Sequence, residues 1–330
     1  MNRKISVAPM MDCTDRHERY FLRLISKNTL LYTEMVVDEA INRGDKKKLL
    51  EFNIEEKPVA LQLGGSSPKL LAAATKVGED FGYDEINLNL GCPSRKVEKN
   101  KFGACLMKEP NLVADCLSEM KAVTKLPVTI KTRIGYDNVD DYENFHNFIS
   151  TLKKVGIKTF IIHARKAMLG KFTPKQNLNI PPLKYEYVYK LKQDFPNDEI
   201  IINGGITSVD EIKPHLENTD GVMIGRAAYH TPYILADIEK EIFNNENVPS
   251  RQDVIEQLIP YVKSELKKGT RLNQIMRHTL GLFHGQSGAS YWKRYLSENM
   301  CVRDADVKKI DHIMDKVKFN NFDRSVGSSA

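Results

Sequence analysis

Residues 85–94 read EINLNLGCPS. Ile86, Leu88 and Leu90 alternate with Glu85, Asn87 and Asn89, which is the two-residue period of a strand. Gly91 then breaks the run, and Cys92 stands on the turn, locked against Pro93. Seven more short β-branched or apolar runs recur along the chain: ISVAP (5–9), LLYTEMV (30–36), PVALQL (58–63), PVTIKT (127–132), TFIIHA (159–164), EIIING (199–204) and GVMIG (221–225). Helix-like segments such as 67–82 and 111–125 lie between most of them. Eight strands alternating with helices predict an α/β fold, a (β/α)8 TIM barrel. The rival, an open doubly wound sheet, lacks a G-x-G-x-x-G after its first strand.

The barrel domain is expected over 1–245. ENVPSR (246–251) reads as a linker, with Ser250 and Asp253 spaced as a capping box. Val254, Leu258, Tyr261, Val262 and Leu266 then share one helical face, so a small C-terminal helical domain is expected over 246–320, followed by a frayed tail at 321–330.

The 330 residues are 41% hydrophobic and 28% charged, the balance of a soluble globular protein. No run approaches the ~20 apolar residues of a membrane span, and MNRKISVAPMM carries no signal-peptide core. Five cysteines without a C-x-x-C pair argue against a disulfide framework or a thiolate zinc site and suit a cytoplasmic location. No obligate protein partner is evident. The net charge of +6 is uneven: within 262–303, Lys263, Lys267, Lys268, Arg271, Arg277, Lys293, Arg294 and Arg303 oppose only Glu265 and Glu298. Such a basic surface is either a solvated face or a contact for a polyanion.

In a barrel of this kind, chemistry gathers at the C-terminal ends of the strands. There the sequence places Pro9, Met10 and Met11, then Gln62, Asn89 with Cys92, Lys131 to Arg133, His163, Asn203-Gly204-Gly205 and Gly225-Arg226. Buried polar groups are costly unless paired, so their collection at one rim implies a polar ligand. The glycine pair after strand seven and Gly-Arg after strand eight suit a phosphate or two tight turns. Lys131 falls out of register with Val128 and Ile130 and points to the opposite side, where it either meets an anion or reaches solvent. Cys92 is a small packing residue or a reactive thiol.

The stretches SVAPMMDCTDRHERYFLRL at the start, DEINLNLGCPS with FGACLM (84–107), IKTRIG, FIIHARKA, INGGI and GVMIGRAAY resemble the dihydrouridine synthase family, in order and spacing. IPPL (180–183) and HTLGLFHGQSGASYWKRYLSEN (278–299) are similar to its A subfamily, associated with positions 20 and 20a of the tRNA D-loop. The resemblance covers residues 5–300. It implies an FMN-dependent oxidoreductase with NADPH as reductant and tRNA as substrate, reducing uridine to dihydrouridine: hydride to C6, and a proton to C5 from Cys92. By resemblance, FMN is held by Pro9, Met10, Met11, Gln62, Lys131, His163, Asn203, Gly204, Gly205, Gly225 and Arg226. Asn89 lies on the substrate side, and Arg133, Lys175, Lys293 and Arg294 are expected tRNA contacts. Glu98, Lys101 and Leu178 depart from the family pattern, where Gln, Gly and Arg are common. Two other classes share some of these features: a flavin barrel acting on a free small molecule, as dihydroorotate dehydrogenases do, and a tRNA-binding protein with a vestigial redox site.

Overall fold

The computed structural model describes residues 1–302 and 305–316; Arg303 and the expected tail at 321–330 lie outside them. Eight parallel strands form one sheet in the order β1-β8-β7-β6-β5-β4-β3-β2. They are β1 Ile5–Val7, β2 Leu31–Val37, β3 Val59–Gly64, β4 Glu85–Leu90, β5 Val128–Arg133, β6 Thr159–His163, β7 Glu199–Asn203 and β8 Gly221–Ile224. β1 and β2 close the ring through a parallel bridge at Ser6 and Leu30, where Val7 N donates to Leu30 O at 2.9 Å. The eight expected runs are the eight strands of a (β/α)8 barrel.

Helices between the strands follow local rules. Pro68–Phe81 starts on the Ser67 hydroxyl and stops at Gly82, whose φ of 88° is a left-handed cap. Inside the barrel, Ala8, Leu30, Tyr32, Ala60, Ile161, Ile201 and Met223 form an apolar layer with Met10 packed against it. The outward residues of the same strands meet the helices: a Cβ on Gly78 would lie 2.7 Å from Leu61 and 2.8 Å from Ile86 side-chain carbons, so this helix glycine permits close packing on the sheet.

Contacts divide the described residues into two compact units, residues 1–14 with 29–225, and residues 15–28 with those from 226 onward. The division differs from the expected linker at 246–251: helices Arg16–Ile25, Arg226–His230 and Ile234–Phe243 group with the C-terminal helices. Side chains explain this. Tyr20 stacks on Tyr261 with ring centroids 3.9 Å apart, His17 Nδ1 lies 2.7 Å from Tyr261 OH, and Arg16 pairs with buried Glu265 at 2.5 Å. Glu239 accepts from Ser26 Oγ at 2.5 Å and Asn28 N at 2.9 Å.

The expected capping box opens Arg251–Lys267, with Asp253 N on Ser250 Oγ and Ser250 N on Asp253 Oδ2. Val254, Leu258, Tyr261 and Val262 are buried on its inner face, while Leu266 is half-buried. No helix among the described residues is long and apolar enough to cross a membrane.

Candidate active site

The barrel interior leading up to the rim is lined by residues of each strand's inward-facing parity. On β4 that set is Glu85, Asn87 and Asn89, three polar side chains in a fully buried strand. Register places Gln62 beside Asn87, and Asn87 beside Thr129, at one level of three adjacent strands. Their side chains pair accordingly: Gln62 Nε2 donates to Asn87 Oδ1 at 2.8 Å, and Asn87 Nδ2 to Thr129 Oγ1 at 2.8 Å.

One level higher, Asn89 Nδ2 donates to Gln62 Oε1 at 2.7 Å. Asn89 Oδ1 accepts from Gly91 N at 3.1 Å and Cys92 N at 3.0 Å. The asparagine thereby folds the chain after β4 into the turn that carries the thiol. The other side of this turn is held by the segment Gly103–Lys108: Ala104 N donates to Cys92 O at 3.0 Å. Gly103 has φ 75°, and a Cβ there would meet Val97 Cγ1 at 2.6 Å and Cys92 O at 2.7 Å, so only glycine fits behind the cysteine. Burial pushes the Cys92 thiol above its ordinary pKa, against smaller opposite effects from the Ser94 N–H and from the nearby cations Arg133 and Lys131. At neutral pH the sulfur therefore keeps its proton.

Lys131 and His163 come from neighbouring levels of β5 and β6. Lys131 Nζ donates to Asn203 Oδ1 at 3.0 Å, while Asn203 Nδ2 donates to the Met223 carbonyl at 2.7 Å. No carboxylate lies within ion-pair distance of this ammonium among the described residues. Burial, then the Arg133 charge, lower its pKa to about 7. A sheltered cation without a counter-charge is a place for an anion.

After β7 the backbone runs through Gly204 and Gly205 with φ of 123° and 75°. A Cβ on Gly204 would lie 2.7 Å from His163 Cδ2, and one on Gly205 would lie 2.7 Å from Leu183 Cδ1. Both positions therefore require glycine for conformation and for space. Gly225, by contrast, keeps a hypothetical Cβ 3.9 Å from Ala8 and Met10, leaving room beside the rim. Pro9 and Met10 are half-buried and Met11 is exposed at the end of β1, while Arg226 opens the helix Arg226–His230.

Arg133, expected to face tRNA, is 3% exposed and spends its guanidinium internally. Nε donates to Gly91 O at 2.8 Å, and Nη1 to the carbonyls of Lys166 at 3.1 Å and Asn177 at 3.2 Å. It ties the Cys92 turn to the loop after β6, and burial lowers its pKa to about 10. Lys175 is exposed on the short helix Pro174–Asn177 of that loop.

Among the second unit's exposed basic residues are Lys263, Lys267, Arg271, Lys293 and Arg294, and the Arg294 guanidinium lies 5.6 Å from the Tyr291 ring. Lys268 and Arg277 already pair with Glu265 and Asp15, at 2.8 and 2.7 Å. Trp292 is buried, donates Nε1–H to Thr279 O at 3.1 Å and meets Phe283 edge-on. Cys116 is buried, with its thiol pushed up to about 12, whereas Cys301 is exposed.

Thr129, Glu85, Gly103 and Tyr185, whose hydroxyl donates to Gly204 O at 2.6 Å, are rim-supporting residues that the sequence did not single out. For Glu85 and Thr129 the signal was available as polar residues at the inward parity of otherwise apolar strands. For Gly103 and Tyr185 it was not, because their roles depend on contacts across loops.

The dihydrouridine synthase family, described as "Dihydrouridine synthase (Dus)", matches residues 6–318. A Synechocystis protein named tRNA-dihydrouridine(20/20a) synthase is 52% identical over 316 residues, 96% of this chain and 95% of its own. Proteins of the same name from Vibrio cholerae and Escherichia coli K12 are 51% and 53% identical, over 96% and 94% of this chain and 97% and 90% of theirs. With a match that runs through the barrel, the Cys92 turn and the helices beyond it, the chain belongs to the dihydrouridine synthase family.

Proposed function

We propose that this chain reduces the C5–C6 double bond of uridine in the tRNA D-loop, at positions 20 and 20a, in the cytoplasm. The observation that carries this reading is Cys92: a thiol kept protonated by burial, on a turn fixed from both sides at the rim of the barrel. Saturating the double bond adds a hydride to C6 and a proton to C5. A thiol is the fitting donor, since free cysteine titrates near ~8.5, so it is protonated at neutral pH yet acidic enough to release the proton.

The residues present fit FMN. Gly204 and Gly205 offer close backbone approach, Gly225 leaves space, and Lys131 supplies a cation without a counter-charge. Pro9, Met10, Met11, Gln62, His163 and Asn203 complete the set that would hold it, and the family resemblance adds Arg226. When bound and reduced by NADPH, FMN supplies the hydride. Lys131 would offset negative charge on the group beside it. The target base must leave its stack to enter the barrel mouth.

Exposed Lys263, Lys267, Arg271, Lys293 and Arg294, together with Lys175, would meet phosphates, so recognition would read RNA shape more than sequence. Lys268 and Arg277 contribute less, being engaged with carboxylates. A nucleoside map of tRNA from cells with and without this gene tests the reading: dihydrouridine at 20 and 20a should disappear with the gene. Activity on free uridine equal to that on tRNA would instead favour a small-molecule enzyme.

A further inference from the structure

The barrel interior holds an oriented chain of hydrogen bonds that ends on the Cys92 amide. At the top, Asn89 Oδ1 receives two backbone N–H groups, from Gly91 and Cys92, so that end of the amide must be oxygen. Its nitrogen then faces Gln62, which must present Oε1. Gln62 Nε2 therefore faces Asn87 Oδ1, and Asn87 Nδ2 faces Thr129 Oγ1. The Thr129 hydroxyl spends its proton on Glu85 Oε1 at 2.5 Å.

Glu85 is anchored in turn. Tyr32 OH donates to Oε1 at 2.7 Å, and Arg3 Nε pairs with Oε2 at 2.6 Å. Arg3 Nη1 continues to Glu199 at 2.8 Å. The chain thus runs donor to acceptor from two backbone amides at the rim to a carboxylate at the opposite end of the barrel. Gln62, Asn87, Thr129 and Glu85 are each no more than 1% exposed, so water does not substitute for a lost link. Turning any one amide over would oppose like groups at both of its ends. Each buried group left unsatisfied would cost its desolvation without a returning hydrogen bond, so the reversed arrangement is rare.

We infer that Thr129 and Asn87 are positioning residues for protonation: through Gln62 and Asn89 they fix the turn that carries Cys92, although neither reaches the rim. The inference rests on Cys92 as the proton donor. In its absence, the same chain would be an interior polar core whose alteration costs stability and nothing else.

Thr129→Val keeps the shape and removes the hydroxyl, and Thr129→Ser restores it. In the FMN-loaded enzyme, Thr129→Val should reduce flavin with NADPH at close to the wild-type rate. Single-turnover dihydrouridine formation should fall at least tenfold at unchanged KM for tRNA, and Thr129→Ser should recover most of it. Independently of activity, alkylation of Cys92 by iodoacetamide, read at the Cys92 peptide by mass spectrometry across pH, should change severalfold in Thr129→Val and stay near wild type in Thr129→Ser.

Wild-type product formation and wild-type Cys92 alkylation in a folded Thr129→Val overturn the inference, as does an equal loss in Val and Ser. If Thr129→Val does not fold, Thr129→Cys replaces it, and its weak S–H donor should give a smaller loss in the same direction. Failure of the proton-donor reading itself shows separately, as normal product formation by Cys92→Ala, while the alkylation readout still reports on the chain.

Discussion

Replacing Lys131 by methionine separates stability from binding at this site. The folded protein holds the ammonium away from bulk water with Asn203 Oδ1 at 3.0 Å as its partner, and its pKa falls from 10.5 to about 7. At ~1.36 kcal/mol per unit, that fall corresponds to at most about 5 kcal/mol. Between pH 7 and 10.5 the unfolded chain binds a proton that the folded chain has released. Stability of the FMN-free protein therefore rises with pH across this window, and the penalty is fully present below pH 7.

Methionine removes the penalty and leaves Asn203 Oδ1 short of a donor, a loss of about 1–3 kcal/mol. The FMN-free variant should be more stable than wild type at pH 6, by at most about 2–4 kcal/mol, an advantage gone by pH 10. FMN affinity should move the other way, falling at least tenfold, because the cation that would meet the anionic group is gone. Differential scanning fluorimetry from pH 6 to 10 on FMN-stripped protein reads the first effect, and a flavin fluorescence titration reads the second. A variant less stable than wild type at pH 6, or one that binds FMN with unchanged affinity, would refute the reasoning.

Three further outcomes follow from the same geometry. Gly103→Ala puts a methyl 2.7 Å from Cys92 O at a positive φ; it should lower product formation at least tenfold while FMN remains bound, read by flavin absorbance and single turnover. Dihydrouridine formation should stay flat with pH from 6 to the ordinary thiol range, because burial raises the Cys92 pKa and the proton is held throughout; a stopped-flow pH profile that declines below pH 8 contradicts this. Lys293→Glu with Arg294→Glu should weaken tRNA binding at low salt and flatten its salt dependence, whereas Lys268→Ala, already paired with Glu265, should change binding much less; filter binding across salt concentrations measures both.

Much of the fold was legible because each strand states its period locally. EINLNL alternates apolar and polar residues, and the eight runs recur with helices between them, so strand number and order followed from pattern alone. The Ser250–Asp253 capping box was equally local. The grouping of Arg16–Ile25 with the C-terminal helices was not, since it depends on Tyr20 stacking on Tyr261 across more than two hundred residues.

Site residues divided in the same way. Rim positions such as Cys92, Lys131 and the Gly204-Gly205 pair follow from where strands end. What the side chains do there depends on partners from other strands. Arg133 reads as a surface cation in IKTRIG, yet three carbonyls from the loops after β4 and β6 enclose it. The polar chain through Thr129 required the register of β3, β4 and β5, which no single strand carries.

The most direct measurement uses tRNA lacking dihydrouridine, purified enzyme and NADPH, with dihydrouridine counted by mass spectrometry at positions 20 and 20a. Wild-type enzyme should introduce the modified base there, and Cys92→Ala, with FMN still bound and NADPH still oxidised, should introduce little. No dihydrouridine from the wild-type enzyme, or a wild-type yield from Cys92→Ala, would contradict the assignment of the reaction or of its proton donor respectively.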